Sequence, residues 1–401
     1  MSPMPNFHRL GRCMRDRGRL ADRLRRPLGA MGILLVMAIL PGTIPARAAA
    51  QPTEVNTCGQ VFSGNGFLSG DLDCSAFTTP GFMSVKILGG TLDLRGFTLT
   101  SAVIAVECTK SCRVVSDPPG GTIASGGSGT ITAVAGIKLR VSDVVINNGI
   151  LSASLGKIKI LDSTITGIVT TPNGAITADK VTLIRSVVTG NSVPGIRGRA
   201  KIIDSEVSNN TGVGIDGRAT VKRSMIFGNS EDGIGLTNRV RVTDSSITGN
   251  GRAGIVLSAS SKAKILRSNI SGNAKQGIAK SAFPVQSGRV VVREVTITNN
   301  GAQGILLDSG TVKLRDSTVT GNALDGVSQI NTFAGAPCKL ILQGTTTVAG
   351  NGTDPSCGVS RTCADLTSCD PPEVDPTSTC NTSYDVNSGF PGVSWGVCAL
   401  D

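Results

Sequence analysis

One short pattern, Asn-x-x-x-Gly-(Ile/Val), recurs seven times and constrains the fold more than anything else in the chain. It runs Asn191/Gly195/Ile196, Asn210/Gly214/Ile215, Asn229/Gly233/Ile234, Asn250/Gly254/Ile255, Asn273/Gly277/Ile278, Asn300/Gly304/Ile305 and Asn322/Gly326/Val327. The offset inside the pattern is constant, whereas successive Asn residues lie 19, 19, 21, 23, 27 and 22 positions apart. A fixed unit with elastic spacing predicts stacked coils that differ in the length of one connection.

Upstream of each Asn the residues alternate, as in Arg239-Val-Arg-Val-Thr-Asp244, Lys262-Ala-Lys-Ile-Leu-Arg267 and Arg199-Ala-Lys-Ile-Ile-Asp204. Period-2 alternation with β-branched residues on one side predicts strands. The residue before each Asn is Gly or Asn (Gly190, Asn209, Gly228, Gly249, Gly272, Asn299, Gly321). These types best tolerate a left-handed backbone, which predicts a forced corner at that point. No 3.6-residue apolar stripe of useful length competes. The expected unit is a β-coil of about 20 residues, stacked on the next at roughly 4.8 Å.

Gly-Asn-x-x-x-Gly-Ile after short Val/Ile strands resembles the right-handed parallel β-helix repeats of the pectin-lyase-like superfamily. The likeness covers roughly residues 85–350, with Thr91–Thr100 similar to an early coil. It implies an all-β, single-stranded solenoid in which inward-pointing Asn side chains form a ladder at one turn, the position of the seven Asn residues above. It implies little about activity, because this fold carries lyases, hydrolases, epimerases, adhesins and inert stalks.

Residues 1–27 are Arg-rich, residues 28–40 are apolar, and Ala46-Arg-Ala48 offers a small-x-small cleavage site, so residues 1–48 are expected to be a signal peptide. Without residues 1–50 the chain loses nine Arg and two Asp, and its formal net charge falls from +11 to +4. No transmembrane segment is expected after cleavage. Ten Cys remain, at the two ends only: Cys58, Cys74, Cys108 and Cys112, then Cys338, Cys357, Cys363, Cys369, Cys380 and Cys398. This distribution predicts a secreted, periplasmic or cell-surface location and disulfide-bearing caps over the exposed ends of a coil stack, with neighbouring Cys paired. The expected organisation is an N-terminal cap with the first coils (49–112), regular coils (113–337) and a Cys-rich C-terminal cap (338–401).

Two outward-facing series follow from the coil alignment. Six residues before each Asn, with Asp162 added from the preceding coil, stand Asp162, Arg185, Asp204, Arg223, Asp244, Arg267, Glu294 and Asp316. The alternating signs predict a charge ladder that helps set coil register. Five residues further upstream stand Lys157, Lys180, Arg199, Arg218, Arg239, Lys262, Arg289 and Thr311, and two residues on from these, on the same side, Lys201, Arg241 and Lys264 among others. They predict a basic stripe, suited either to a solvated strand face or to a linear polyanion. The Asn ladder (Asn191, Asn210, Asn229, Asn250, Asn273, Asn300, Asn322) is expected to be structural.

Catalytic signals are sparse. The one His, His8, lies in the leader, so no Ser-His-Asp triad or His base is expected. The Asn-Thr-Asp, Asp-Asp and Gly-His-Gly segments of the resembling hydrolases do not occur. Paired carboxylates at Asp204/Glu206 or Glu231/Asp232 are weak candidates. Calcium on Asp216, Glu231 and Asp232 is a minor alternative to a plain surface turn, and no metal or cofactor is expected. Aromatic residues make up only 3% of the chain, with Trp395 and Tyr384 in the tail, which argues against base stacking and specific nucleic-acid binding. The expected function is that of a secreted, monomeric, non-catalytic surface or matrix protein binding acidic polysaccharide along the basic stripe. The alternative is a polysaccharide lyase or related carbohydrate-active enzyme.

Overall fold

The computed structural model describes residues 51–352 apart from 126–128, 169–173, 281–287, 308–309 and 331–337, together with four short strands further on. The expected signal peptide lies outside the described residues, as do Cys357, Cys369, Cys380 and Tyr384. Among the described residues there is no helix, and so none long and apolar enough to cross a membrane.

The coil that begins at Asn210 shows how the sequence makes the fold. The chain leaves Asn210, passes Gly214 and forms the strand Ile215–Asp216. It bends at Gly217, where φ is 132°, and continues as Ala219–Lys222. A second corner at Arg223 (φ 49°) leads to Met225–Phe227, and a third at Gly228 (φ 63°) returns the chain to Asn229. Every such piece pairs in parallel with its counterpart one coil away. The result is a 22-stranded sheet and a 13-stranded sheet that share one core.

The core is three stacks of β-branched and Leu side chains, one per straight piece. Ile196, Ile215, Ile234, Ile255, Ile278, Ile305 and Val327 form the first, all fully buried. Ile202, Val221, Val242, Ile265, Val292 and Leu314 form the second, and Val207, Ile226, Ile247, Ile270, Ile297 and Val319 the third, again with no exposure. Burying such a side chain contributes about 1.5–3 kcal/mol, and the solenoid repeats this in each coil.

The strand assignments locate the elasticity of the repeat. From Lys180, Arg199, Arg218, Arg239, Lys262 and Arg289 to the repeat Asn that follows there are always 11 residues, and from that Asn to its Gly always 4. All variation falls between the Gly-Ile pair and the basic strand, at the bend that borders the outward cations. Near the start of the stack the disulfides Cys58–Cys74 and Cys108–Cys112 link cysteines close in sequence. At the other end Arg361–Ala364 runs antiparallel along Val327–Ile330, and Val397–Cys398 pairs with Cys338–Gln343.

Candidate functional site

The register superposes the basic residues coil upon coil. In one column Lys138 pairs with Lys157, Lys157 with Lys180 and Lys180 with Arg199. Arg218 follows, its carbonyl accepting from the Ala200 amide, and Arg239, Lys262 and Arg289 complete the column. In the second column Arg113, Arg140, Lys159, Thr182 and Lys201 lie in register, followed by Thr220, Arg241, Lys264, Val291 and Lys313. The intervening residues, among them Leu139, Ile158, Val181, Ala219 and Val240, point inward and are buried. Strand alternation therefore turns every Lys and Arg of both columns outward. Lys157, Lys180, Arg199, Lys201, Arg218, Arg239, Arg241, Lys262, Lys264 and Arg289 are all exposed on this face.

Of the concave stretches along the face, two are lined chiefly by cations, and a smaller one of about 380 Å³ between them is lined by Asp179, Arg199, Arg218, Leu236 and Asn238. The first, about 640 Å³, is lined by Arg113, Lys138, Arg140, Lys157, Lys159 and Lys180 with Gly90, Thr91 and Thr182 at its edges. The second, about 600 Å³, is lined by Arg239, Arg241, Lys262, Lys264 and Arg289 beside Thr220 and Val291. Among the described residues no carboxylate and no aromatic ring lines either groove. Among the described residues none of these eleven cations has an acidic partner within 4 Å. Between the grooves the situation changes. Arg199 is ion-paired with Asp179, the Arg218 Nε donates to Asn238 Oδ1 at 2.8 Å, and Arg197 pairs with Asp216 at 3.1 Å. Arg113, Lys138 and Arg140 extend the face beyond the expected residues. Their coils lack the repeat Asn used to align the others, although the alternation Lys138-Leu-Arg-Val141 was a usable signal.

The other candidates fall into place around this face. The Asn side chains are 2% exposed or less and point into the turn. Each Nδ2 donates to the Oδ1 of the next Asn at 2.7–3.0 Å, from Asn191 through Asn322. An eighth rung, Asn351, receives the last of these bonds. The Gly four residues after each Asn is required by close approach. A Cβ on Gly214 would lie 2.6 Å from the Gly233 carbonyl and 2.8 Å from Asn229 Nδ2, and the same contacts recur down the column.

A second buried ladder is made by Ser. Ser163, Ser186, Ser205 and Ser224 each donate an amide N–H to the hydroxyl of the next Ser in the series at 3.1–3.2 Å, the last of them to Ser245. Each hydroxyl donates in turn to the carbonyl two residues back. The residue before each of these Ser is the charged series, and it sits in the left-handed region from Asp162 to Asp316 with φ of 44–55°. Its members bridge in pairs: Arg185 grips Asp162, Arg223 grips Asp204 and Arg267 grips Asp244, each with two nitrogens on two oxygens. The guanidinium hydrogen bonds hold the Asp162, Asp204 and Asp244 carboxyls below the usual carboxylate range. Asp316 breaks the alternation by following Glu294, and these two pair with their own neighbours Arg315 and Arg293.

The acidic candidates do not assemble. Asp204 belongs to the charged corner, while Glu206 lies on the next strand and accepts from the Ser208 hydroxyl. Asp216 is tied to Arg197, and Asp232 accepts the Ala253 amide at 3.0 Å, with burial raising its carboxyl. Among the described residues no three His, Cys, Asp or Glu are grouped to hold a metal ion.

No curated protein matches the chain. Among solved structures, a double mutant of the periplasmic alginate epimerase AlgG aligns with 85% of this chain and 85% of its own, at 11% identity and a TM-score of 0.47. The A-module of the Azotobacter vinelandii mannuronan C-5 epimerase AlgE4 aligns with 74% of this chain and 89% of its own, at 14% identity and a TM-score of 0.42. At this level of likeness neither activity transfers to this chain. The family described as the right handed beta helix region matches residues 145–279 and 187–351. Those matches together run from residue 145 to 351, over half of the 401 residues, and the chain belongs to the right-handed β-helix family.

Proposed function

We propose that this is an exported, non-catalytic β-helix that binds acidic polysaccharide along its basic face. The observation that carries the reading is the pair of grooves lined, among the described residues, by eleven Lys and Arg side chains and no carboxylate. Lys and Arg on a solvated strand face also guard against aggregation. A run of one sign spread over successive coils costs self-repulsion, which a bound polyanion relieves. The cations recur at the coil rise of ~4.8 Å, the same order as the length of one sugar ring in a chain of linked uronic acids. That no aromatic ring lines either groove among the described residues favours carboxylated sugar over single-stranded nucleic acid, whose bases stack on aromatic platforms. The disulfides Cys58–Cys74 and Cys108–Cys112 support an oxidising, extracytoplasmic compartment.

The test is co-sedimentation and calorimetry with polygalacturonate and with a neutral glucan, at low and at high salt. Binding of the acidic polymer alone, weakening with salt, supports the reading. Retention of both polymers, or of neither, overturns it. Shortening of the polymer, with new unsaturated or reducing ends, would establish a polysaccharide-cleaving enzyme instead.

A further inference from the structure

We infer that the basic face is a two-part site whose halves bind short anions independently and a long polyanion jointly, with Asp179 setting the division and Asn238 orienting the Arg218 guanidinium within it. The inference rests on the reading of this face as a polyanion site. Counting along the first column, Lys138, Lys157 and Lys180 belong to the first groove and Arg239, Lys262 and Arg289 to the second. The two rungs between them are Arg199, neutralised by Asp179, and Arg218, whose Nε is taken by Asn238. In the second column the same stretch reads Thr182, Lys201 and Thr220, with Lys201 the one cation there among the described residues; Arg218 keeps its charge beside the neutral Asn238 amide, so the stretch is thinned in cations, not emptied of them. The Arg197–Asp216 pair at this level adds no net charge. Leu236, 60% exposed, borders the same stretch, and an apolar side chain offers an anion nothing.

Magnitudes decide that this interruption matters. Three coil steps separate Lys180 from Arg239, or ~14 Å at the coil rise. That exceeds the screening length of about 8 Å at physiological ionic strength, so an anion in one groove hardly feels the other. Each groove spans two steps of the column, ~10 Å, and the whole path from Lys138 to Arg289 spans seven steps, ~34 Å. A short oligouronate can fill only one groove. A chain longer than the whole path can enter both, and its second contact is intramolecular. Such linkage raises apparent affinity by about 10²–10⁴-fold without any new kind of contact. Affinity is therefore expected to rise in a step with chain length.

Calorimetry of the protein with size-fractionated oligogalacturonates tests this. Short oligomers should bind at two per chain, and oligomers long enough to span both grooves at one per chain with at least about 100-fold higher affinity. Lys157→Glu with Lys159→Glu, or Lys262→Glu with Lys264→Glu, should each remove one of the two short-ligand sites and abolish the step. Melting temperatures near that of the unaltered protein would confirm that these variants fold. Asp179→Asn, which frees Arg199, should shorten the length at which the step occurs. A smooth rise in affinity, with one short oligomer per chain, would overturn the two-part site while leaving the basic face a polyanion site. No binding at any length would overturn both readings.

Discussion

Two corners flank the same short strand in each coil of the Asn repeat, and they treat their side chains in opposite ways. At Gly228–Asn229 the chain turns through a left-handed Gly and places the Asn amide inside, where it is 1% exposed. At Arg223–Ser224 it turns through a left-handed Arg, whose guanidinium lies outside on Asp204. Both corners carry a ladder that runs coil to coil. The inner one accepts a single residue type, because a buried amide must find both a donor and an acceptor one coil away. The outer one accepts Asp, Arg or Glu, because water can serve any member whose neighbour does not. Burial, more than hydrogen bonding as such, makes a rung irreplaceable.

The sharpest way to break that contrast is Asn250→Ala. The Asn250 Oδ1 accepts from Asn229 Nδ2 at 3.0 Å and from the Asn229 amide at 3.2 Å, and its Nδ2 donates to Asn273 Oδ1 at 2.9 Å. Stranding buried partners costs roughly 1–3 kcal/mol each, so a loss of several kcal/mol is expected in denaturant unfolding. An unchanged midpoint would mean that the ladder is decoration. Gly254→Ala should come next, at about 1–3 kcal/mol, since its Cβ would meet the Gly277 carbonyl at 2.7 Å and Asn273 Nδ2 at 2.9 Å. Ser224→Ala probes the buried half of the outer corner. It strands the Ser205 amide, which donates to the Ser224 hydroxyl at 3.1 Å, and should cost about 1 kcal/mol by the same unfolding measurement.

The outer charges should speak mainly through pH. Asp244 is held below its ordinary pKa chiefly by hydrogen bonds from Arg267, so its ion pair stabilises the fold above the unfolded carboxylate pKa of about 3.9. That stability is lost as pH falls through the lower folded value, because the folded state then takes up the proton the unfolded state already holds. Asp244→Asn keeps a residue tolerant of the left-handed corner and removes the titration. Its unfolding midpoint should fall less steeply than that of the unaltered protein as pH drops from 5 to below 4. Parallel curves would show that the pair contributes nothing to stability. The exposed position makes the effect small and sensitive to salt.

The same distinction explains what could be read from the sequence. The Asn and Gly of the repeat were legible because backbone contact in the turn leaves no alternative to Gly195 or Gly214 and their successors. Asn351 was missed because Thr353-Asp354-Pro355 follows it where the others lead to Gly-Ile. The Ser ladder was hidden behind its neighbours: the dipeptides Asp204-Ser205 and Arg223-Ser224 drew attention to the charge and away from the hydroxyl. Left-handed φ values at Arg185, Arg267 and Glu294 were not legible at all. Local preference assigns that conformation to Gly, Asn and Asp, and a cost of about 1–2 kcal/mol is overridden here by the stacking of adjacent coils. Of the basic face, the columns from Lys157 onward were legible and its division in two was not, since Asp179 and Asn238 lie on the bend of variable length.

The smallest effect expected on stability belongs to the basic face itself. Lys262→Ala with Lys264→Ala removes two exposed side chains that have no acidic partner among the described residues, and leaves the buried Ala263 and Ile265 in place. Surface changes of this kind stay within about 0.5 kcal/mol, and relief of like-charge repulsion between stacked cations works in the stabilising direction. Thermal unfolding should therefore show an equal or slightly higher midpoint, while retention of polygalacturonate falls. A midpoint lowered as far as that of Asn250→Ala would make the cations part of the scaffold. A residue kept for what it binds can be removed without loss to the fold, whereas a residue kept for the coil cannot, and this pair of variants separates the two.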